Sequence, residues 1–306
     1  MRIHRPAPAP SAAASSRRAH RALRASAPAA LVAAVVLTVS ACTSQAPADG
    51  SATSVAPSSP APSDEAPAGV TQTALSAPLD HVHGLLVSGD GTLLAGTHTG
   101  VVAVTTGGDV SRVGSSRDDL MGMTGIPGSD RLASSGHPGA GSAFPNPVGL
   151  IVSDDGGLTW SAVSLTGRVD FHTLATDGTL VVGYGGGSRV LVSTDGGATF
   201  TSGGAVAPAA LAITPGSVWA TTADGLQRST DDGDTFTVVD GAPVLVLVAV
   251  GPDASLWGVD TQGVAWRSAD GTTWERRATV GPVEALAVAE HATAYALTAT
   301  TLYELT

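Results

Sequence analysis

The sequence predicts an all-β protein built from several copies of one small sheet, and two observations support this prediction. Short apolar runs rich in Val, Leu, Ala and Thr alternate with Gly, Asp and Pro, which is typical of many short strands joined by turns. One turn motif also recurs four times, with successive copies 40, 36 and 39 residues apart. A period in this range indicates stacked or radial supersecondary units.

The recurring turn has the pattern S-x-D-x-G-x-T-[WF]. Its four copies begin at Ser153, Ser193, Ser229 and Ser268, and the last copy is one residue shorter. Ser, Asp and Thr side chains bond nearby backbone groups, and glycine tolerates the positive φ of a reversal. We therefore interpret the motif's aspartates as structural turn residues and not as catalytic acids. These aspartates are Asp155, Asp195, Asp231 and Asp270.

An aromatic residue ends each copy of the turn. The four aromatics are Trp160, Phe200, Phe236 and Trp274. A large apolar side chain at the same place in every copy is expected to pack between neighbouring sheets. The whole motif resembles the Asp-box, or BNR, repeat of sialidase-like β-propellers, in which the box joins the third and fourth strands of a blade. This resemblance implies a propeller fold and says nothing direct about activity.

Six units align on their first strands, which predicts a six-bladed β-propeller. The aligned strands begin at His83, Met121, His172, Ala209, Leu245 and Glu284. The last unit stops at its third strand, Thr301 to Thr306, and the segment Thr71 to Pro78 is the available fourth strand. Closing the ring in this way leaves only short, protected edges. A seven-bladed ring is the alternative, and it requires a seventh unit that the sequence does not show.

The N-terminal region is predicted to be a lipoprotein signal, residues 1–41. Six arginines precede an apolar run from Ala27 to Ala41, which is too short for a comfortable membrane span. The run ends in a sequence that resembles the bacterial lipobox, so Cys42 is the predicted lipid-attachment residue. The alternative is an ordinary signal peptide with an incidental cysteine. Residues 42–73 read as a disordered Ala/Pro/Ser/Thr tether, and residues 74–306 as the propeller.

Charge and composition restrict the partners. Nine arginines and 26 acidic residues follow the predicted signal, a net charge near −17, and the chain contains no lysine. This charge excludes nucleic acid and anionic lipid as partners of the propeller surface. We therefore predict a monomer on the extracytoplasmic face of the cell membrane, held there by its lipid anchor alone. Its expected partner is a small ligand, a glycan or a protein.

Propeller topology predicts that most of the remaining histidines share one face of the disc. First-strand entrances and the links between second and third strands lie on the same face. The histidines in these positions are His81, His83, His98, His137 and His172, whereas His291 lies in the other kind of link. Loop residues gathered on a rigid scaffold are often functional.

These histidines suggest a transition-metal site at the mouth of the central channel. The candidate ligands are His81, His83, His137, His172 and Met121. Imidazole suits zinc, copper or nickel, and a thioether tilts the choice toward copper, so the predicted cofactor is copper or zinc. A non-metal ligand, a catalytic role and purely structural hydrogen bonds are the open alternatives. His98, Tyr184 and Phe144 are further candidate ligand-binding residues. Phe144 lies in a long loop, Gly136 to Gly149, that could cap the mouth, and its side chain would either cover a ligand or pin the loop.

Glycoside hydrolysis is a competing hypothesis. The segments HVHGL, DLMGM, SGHP and VDFHTL resemble a group of bacterial exported Asp-box proteins usually labelled glycosyl hydrolases, a label that rests on fold analogy. Gly125 precedes Ile126-Pro127 where a sialidase would carry arginine, so the sialidase mechanism is not expected. Among the acids of the histidine face, Asp170 and Glu284 are the candidate catalytic pair. A factor that assembles or stabilises a protein partner is the third possibility.

Overall fold

The computed structural model describes residues 69–290 and 293–306 of the chain. Within these residues every regular element is a β-strand. Consequently, the described part contains no helix long and apolar enough to cross a membrane. The predicted signal peptide, Cys42, most of the predicted tether and His291 lie outside the described residues.

The strands form six antiparallel sheets of four strands each. In chain order they are β1 (Val70–Ala74), β2 (Val82–Val87), β3 (Leu93–Thr97), β4 (Gly100–Val104), β5 (Val110–Val113), β6 (Thr124–Gly125), β7 (Leu132–Ser134), β8 (Leu150–Ser153), β9 (Ser161–Ser164), β10 (Thr173–Thr176), β11 (Val181–Tyr184), β12 (Leu191–Ser193), β13 (Thr201–Ser202), β14 (Ala210–Thr214), β15 (Ser217–Thr222), β16 (Gly225–Ser229), β17 (Thr237–Val238), β18 (Leu245–Val250), β19 (Leu256–Asp260), β20 (Val264–Ser268), β21 (Glu275–Thr279), β22 (Ala285–Val288), β23 (Ala294–Leu297) and β24 (Thr301–Leu305). Blades one to five are β2–β5, β6–β9, β10–β13, β14–β17 and β18–β21, and blade six is β22–β24 with β1.

The first strands of the blades form a closed ring. Strand β2 contacts β6 and β22, β10 contacts β6 and β14, and β18 contacts β14 and β22. The fold is therefore a six-bladed β-propeller, as the repeat predicts, and the seven-bladed alternative is wrong. The six inner strands enclose a central channel with a cavity of ≈ 160 Å³.

The ring closes through the N-terminal strand, as predicted. Strand β1 pairs antiparallel with β24, from Val70 opposite Leu305 to Ala74 opposite Thr301. Val70 is buried in the core between blades five and six. The propeller thus begins before residue 74, the boundary predicted from composition. Composition does not separate the tether from the closing strand, because both are rich in Thr and Ala.

The hydrophobic core is divided into six clusters, and each cluster draws on two adjacent blades. For example, Trp257 of blade five packs with Leu286 of blade six. The four aromatics of the repeated turn also pack against these inter-blade clusters, as expected from their position. Burial of apolar surface between blades is therefore the main force that holds the ring together.

The repeated turn joins the third and fourth strands of blades two to five. In blade three, Ser193 Oγ accepts from the Gly197 N–H at 2.8 Å and donates to Asp195 Oδ1 at 2.7 Å. Asp195 also accepts from the backbone and hydroxyl of Thr199. The hydrogen bonds from Ser193 and Thr199 lower the pKa of Asp195 to about 2. The aspartate is thus fully engaged within its own turn.

Candidate functional site

Five histidines gather on the face of the propeller where the first strands begin, and they form two clusters. The first, here called the histidine triad, consists of His81, His83 and His98. The second consists of His137 and His172, which share the carboxylate of Asp170. The described histidines therefore lie on one face, as topology predicts, but they do not form one group.

The triad has the spacing of a metal site. One potential ligand atom from each histidine lies within 4.8 Å of the others. His83 Nε2 is 3.3 Å from His98 Nδ1. Around a tetrahedral zinc ion with metal–nitrogen distances of about 2.0–2.1 Å, neighbouring ligand atoms lie roughly 3.3–3.4 Å apart. The His83–His98 pair therefore matches one edge of a tetrahedral coordination shell.

Two local distortions of the backbone bring the triad together. The β2–β3 register shifts between Val82 and Gly84, so His83 is the extra residue of a β-bulge. Bulges re-aim side chains and are common beside functional sites. His81 has a φ of 36°, which is unfavourable for a residue other than glycine. His81 precedes β2 and His83 is its bulged residue, and their rings are 4.6 Å apart.

Asp119 completes the triad on the side of blade two. Its Oδ2 lies 2.9 Å from His98 Nδ1, and its Oδ1 lies 3.4 Å from His83 Nε2. The Oδ1 atom is buried and accepts no hydrogen bond from the described residues. A buried carboxylate oxygen without a donor is costly unless a cation or donor compensates it. One nitrogen from each of the three histidines and the Asp119 carboxylate could together coordinate a cation.

Glu284 holds the triad on the side of blade six. Its Oε2 accepts from the Val82 N–H at 2.7 Å and lies 3.2 Å from His81 Nδ1. Its Oε1 accepts from the Ala299 N–H at 3.2 Å. Glu284 thus spans the seam between blades six and one and fixes one nitrogen of His81.

The electrostatic environment favours neutral His83. Burial lowers the pKa of His83 below 6.5, the nearby Asp119 carboxylate opposes this shift, and His81 and His98 reinforce it. Metal ligands must be deprotonated, and a neutral imidazole offers its lone pair without first releasing a proton. Neutral His83 therefore offers a nitrogen lone pair at neutral pH.

The second cluster is built around Asp170, just before β10. Asp170 Oδ2 lies 3.0 Å from His172 Nε2 and 3.3 Å from His137 Nε2. His137 Nδ1 lies 2.8 Å from Asn146 Oδ1 in the long loop of blade two. His137 also forms a β-bridge with Asp119, so the two clusters are neighbours along the rim.

The predicted five-residue metal set is thus divided by the structure. His81 and His83 belong to the triad, whereas His137 and His172 belong to the second cluster. Met121 does not line the channel among the described residues, and Met123 does. In blade five Leu247 lines the channel and Leu245, where the aligned strand begins, does not; β18 has a register shift between these two residues.

The sequence predicts only a general ligand-binding role for His98 and no metal role for Asp119. The signal that could have found His98 is the short GTHTG link between β3 and β4, which returns to the same face directly beside the β2 entrance. Asp119 could not be found in this way, because its position depends on its bridge to His137 across the long loop.

The remaining predicted residues lie in other environments. Asp170 and Glu284 belong to blades three and six, which are opposite in the ring, and each is engaged with its own histidine. The Tyr184 hydroxyl donates to the Gly187 carbonyl at 2.8 Å. Phe144 packs against the core cluster between blades one and two, so it pins the long loop.

Comparison with known proteins identifies the fold alone. No family model matches this chain, and no curated protein matches it. A structural genomics protein from Bacteroides thetaiotaomicron has a TM-score of 0.58 and 11% identity, over 77% of this chain and 76% of that chain. A Xanthomonas campestris gluconolactonase has a TM-score of 0.55 and 12% identity, over 77% and 89%. An inactive virginiamycin B lyase from Staphylococcus aureus, with quinupristin, has a TM-score of 0.51 and 12% identity, over 78% and 98%.

Proposed function

We propose that this protein binds one divalent transition metal ion at the channel mouth, with His81, His83, His98 and Asp119 as ligands. The observation that carries the proposal is the convergence of the three imidazoles, whose ligand atoms lie within 4.8 Å of one another. The Asp119 carboxylate, whose buried Oδ1 accepts no hydrogen bond from the described residues, supplies a negative charge at the same point. Four such donors satisfy the coordination of a tetrahedral ion.

The surroundings of the triad support a ligand role over a structural one. Histidine ligands commonly donate their second ring N–H to a carboxylate, which fixes the tautomer and the ring orientation. Glu284 is placed to do this for His81, because its Oε2 lies 3.2 Å from His81 Nδ1. Nε2 of His81 would then carry the lone pair for the metal.

Zinc is the metal that this donor set favours. Imidazole and carboxylate ligands suit zinc, whereas sulfur ligands shift the preference toward copper(I). The thioether argument for copper rests on Met121, which does not line the channel in the described part of the chain. We therefore propose zinc as the resident ion.

Metal binding is tested by titrating purified, EDTA-treated protein with Zn²⁺ in a calorimeter and measuring bound zinc after dialysis. We expect one equivalent of zinc in the wild-type protein. His98→Ala and Asp119→Asn should each weaken binding at least tenfold, since loss of one ligand or supporting group typically costs this much or more.

His137→Ala is the matched control for the zinc titration. It removes an exposed imidazole from the same face without touching the triad, and it should retain one equivalent. Bound zinc well below one equivalent in the wild-type protein, or unchanged affinity in His98→Ala, would contradict the proposal.

We also propose that the propeller works outside the cytoplasm, attached to the membrane by lipid on Cys42. The support is the basic segment, the apolar run and the single cysteine at its end. The acidic composition of the rest of the chain supports a propeller surface that binds neither nucleic acid nor anionic lipid. In this arrangement the metal site would meet ligands of the cell envelope.

A further inference from the structure

The second cluster has the geometry of a carboxylate-oriented imidazole, distinct from the histidine triad. Asp170 is largely buried, with 18% of its side chain exposed, whereas 52% of the His172 side chain is exposed. The carboxylate lies 3.0 Å from His172 Nε2. A buried acid behind an exposed imidazole is the arrangement that positions histidine for proton transfer. We propose that His172 is a proton-transfer residue at the channel mouth and that Asp170 is its positioning residue.

The protonation pattern follows from the chemistry of the two groups. An ionised carboxylate only accepts hydrogen bonds, so His172 Nε2 must carry the proton that Asp170 accepts. In the neutral imidazole the other nitrogen, Nδ1, then has a lone pair. No hydrogen bond to His172 Nδ1 occurs among the described residues. The lone pair is therefore available to a molecule at the mouth.

The groups around His172 preserve this arrangement. His137 approaches the same carboxylate oxygen from blade two, and its Nδ1 is held by Asn146. His137 is thus restrained from both sides, whereas His172 is restrained only through Nε2. The backbone N–H of His172 donates to the Tyr184 carbonyl at 2.8 Å, which fixes the strand from which the ring projects.

His172 faces the same opening as the triad. His172, His83 and Glu284 all line the central channel. Glu284 lines the described channel, Asp119 and Asp170 lie beside its residues His83 and His172, no arginine lines it, and the chain has no lysine. This charge distribution disfavours anions, so the substrate class that fits the mouth is uncharged or cationic.

The simplest reaction for such a site is hydrolysis of an uncharged ester. His172 Nδ1 takes a proton from the water that attacks the ester carbonyl, and the new carbon–oxygen bond forms a tetrahedral intermediate. The intermediate then expels the alcohol oxygen, which takes the proton back from His172 as the old carbon–oxygen bond breaks. Acid and alcohol are the products, and no further reactant is required.

The protonation pattern is tested by NMR on zinc-free protein labelled with ¹⁵N at histidine, with EDTA present. We expect His172 in the neutral Nε2–H form near pH 8, with a bare Nδ1. Asp170→Asn should convert His172 to a mixture of both tautomers, whereas Asp119→Asn, which alters the triad, should leave His172 unchanged. A mixed population in the wild-type protein, or no change in Asp170→Asn, would overturn the assignment.

Proton transfer itself is tested with p-nitrophenyl acetate as the probe, again with EDTA. We expect hydrolysis above the buffer rate, with kcat/KM reduced on the order of 10²-fold in His172→Gln, since general base catalysis contributes about 10²–10⁴-fold. Arg168→Gln, an exposed change close to Asp170 in the chain, should keep the wild-type rate. Hydrolysis no faster than buffer, or equal rates in His172→Gln and wild type, would refute the role of His172.

These two experiments do not depend on the zinc site. If zinc fails to bind while His172 behaves as expected, the proposed metal function fails and the proton-transfer role stands. If zinc binds and His172 shows mixed tautomers, the reverse holds.

Discussion

His83 shows at the scale of one residue how burial and neighbouring charge compete. The side chain is only 10% exposed and lies between two other imidazoles and the Asp119 carboxylate. Burial has the largest effect and lowers the pKa of His83, although Asp119 acts against it. The balance keeps His83 neutral where a protonated ring would repel a metal ion.

This shift predicts a pH dependence of stability in the metal-free protein. The folded-state pKa of His83 lies below its unfolded value of 6.5, so the unfolded chain takes up the proton first. The contribution of neutral His83 to stability is therefore fully present above pH 6.5 and is lost as the pH falls from 6.5 through the folded-state pKa. Urea unfolding at pH 7.5 and 5.5 should show this loss, and it should be smaller in His83→Gln.

The Asp119 carboxylate provides a second check on His83. Because this carboxylate raises the pKa of His83 against the larger effect of burial, Asp119→Asn should lower that pKa further. An NMR titration of the metal-free variant measures the change directly. A higher pKa of His83 in Asp119→Asn would show that the assignment of causes is wrong.

At the scale of the element, the repeated turn contributes packing between blades as well as local hydrogen bonds. A Cβ atom added at Gly271 would lie 2.0 Å from the Trp219 ring of the preceding blade, and one added at Gly197 would lie 2.1 Å from Leu150. Both glycines also have positive φ. The turn thus requires glycine for its backbone and for its close approach to the neighbouring sheet.

A matched pair of substitutions separates these two requirements. Gly271 and Gly216 have φ of 76° and 71°, but a Cβ at Gly216 would meet no atom within 4 Å. Gly216→Ala should therefore cost about 1 kcal/mol for backbone strain alone. Gly271→Ala should cost about 1–3 kcal/mol more, because the indole must move. Urea denaturation gives both values, and equal losses would contradict the packing role.

The elements also show which parts of the structure the sequence could predict. The turn motif, the blade count and the closing strand followed from periodicity, because their chemistry is local and repeated. The arrangement of the histidines at the site could not be predicted from periodicity. The bulge at His83 and the positive φ of His81 are single departures from the repeat, and a repeat-based alignment cannot anticipate them. The same limitation explains why the repeat predicts Met121 at the mouth, where the structure has Met123.

At the scale of the whole molecule, ring closure depends on strand β1. This strand supplies the outer edge of blade six, and Val70 is its residue in the core. The prediction is that Val70→Asp destabilises the propeller by several kcal/mol, since an unpaired charge would be buried. The exposed neighbour Thr71→Asp is the control and should change stability by less than about 0.5 kcal/mol. Thermal unfolding of the two variants tests this, and similar melting temperatures would argue against closure by β1.

The six inter-blade cores explain why the histidine clusters lie at the rim. Each blade is covered on both faces by its neighbours, so most of the buried side chains are apolar, and the histidines and carboxylates of the two clusters lie at strand entrances and links. Asp170 and Glu284 illustrate the result. They share a face because topology places them there, yet they lie in opposite blades, so composition alone could not decide whether they act as a pair.

The N–H of Thr306 donates to the Gly69 carbonyl at 3.0 Å, so residues 69 and 306 are direct neighbours at the outer edge of blade six. In a closed ring of blades, the chain can begin and end in any blade. A peptide of a few residues could join these two positions, and the polypeptide could instead be opened within a turn of another blade. Such a circular permutant would give a partner domain fused at the new opening a different direction of approach to the histidines, while leaving every inter-blade surface intact.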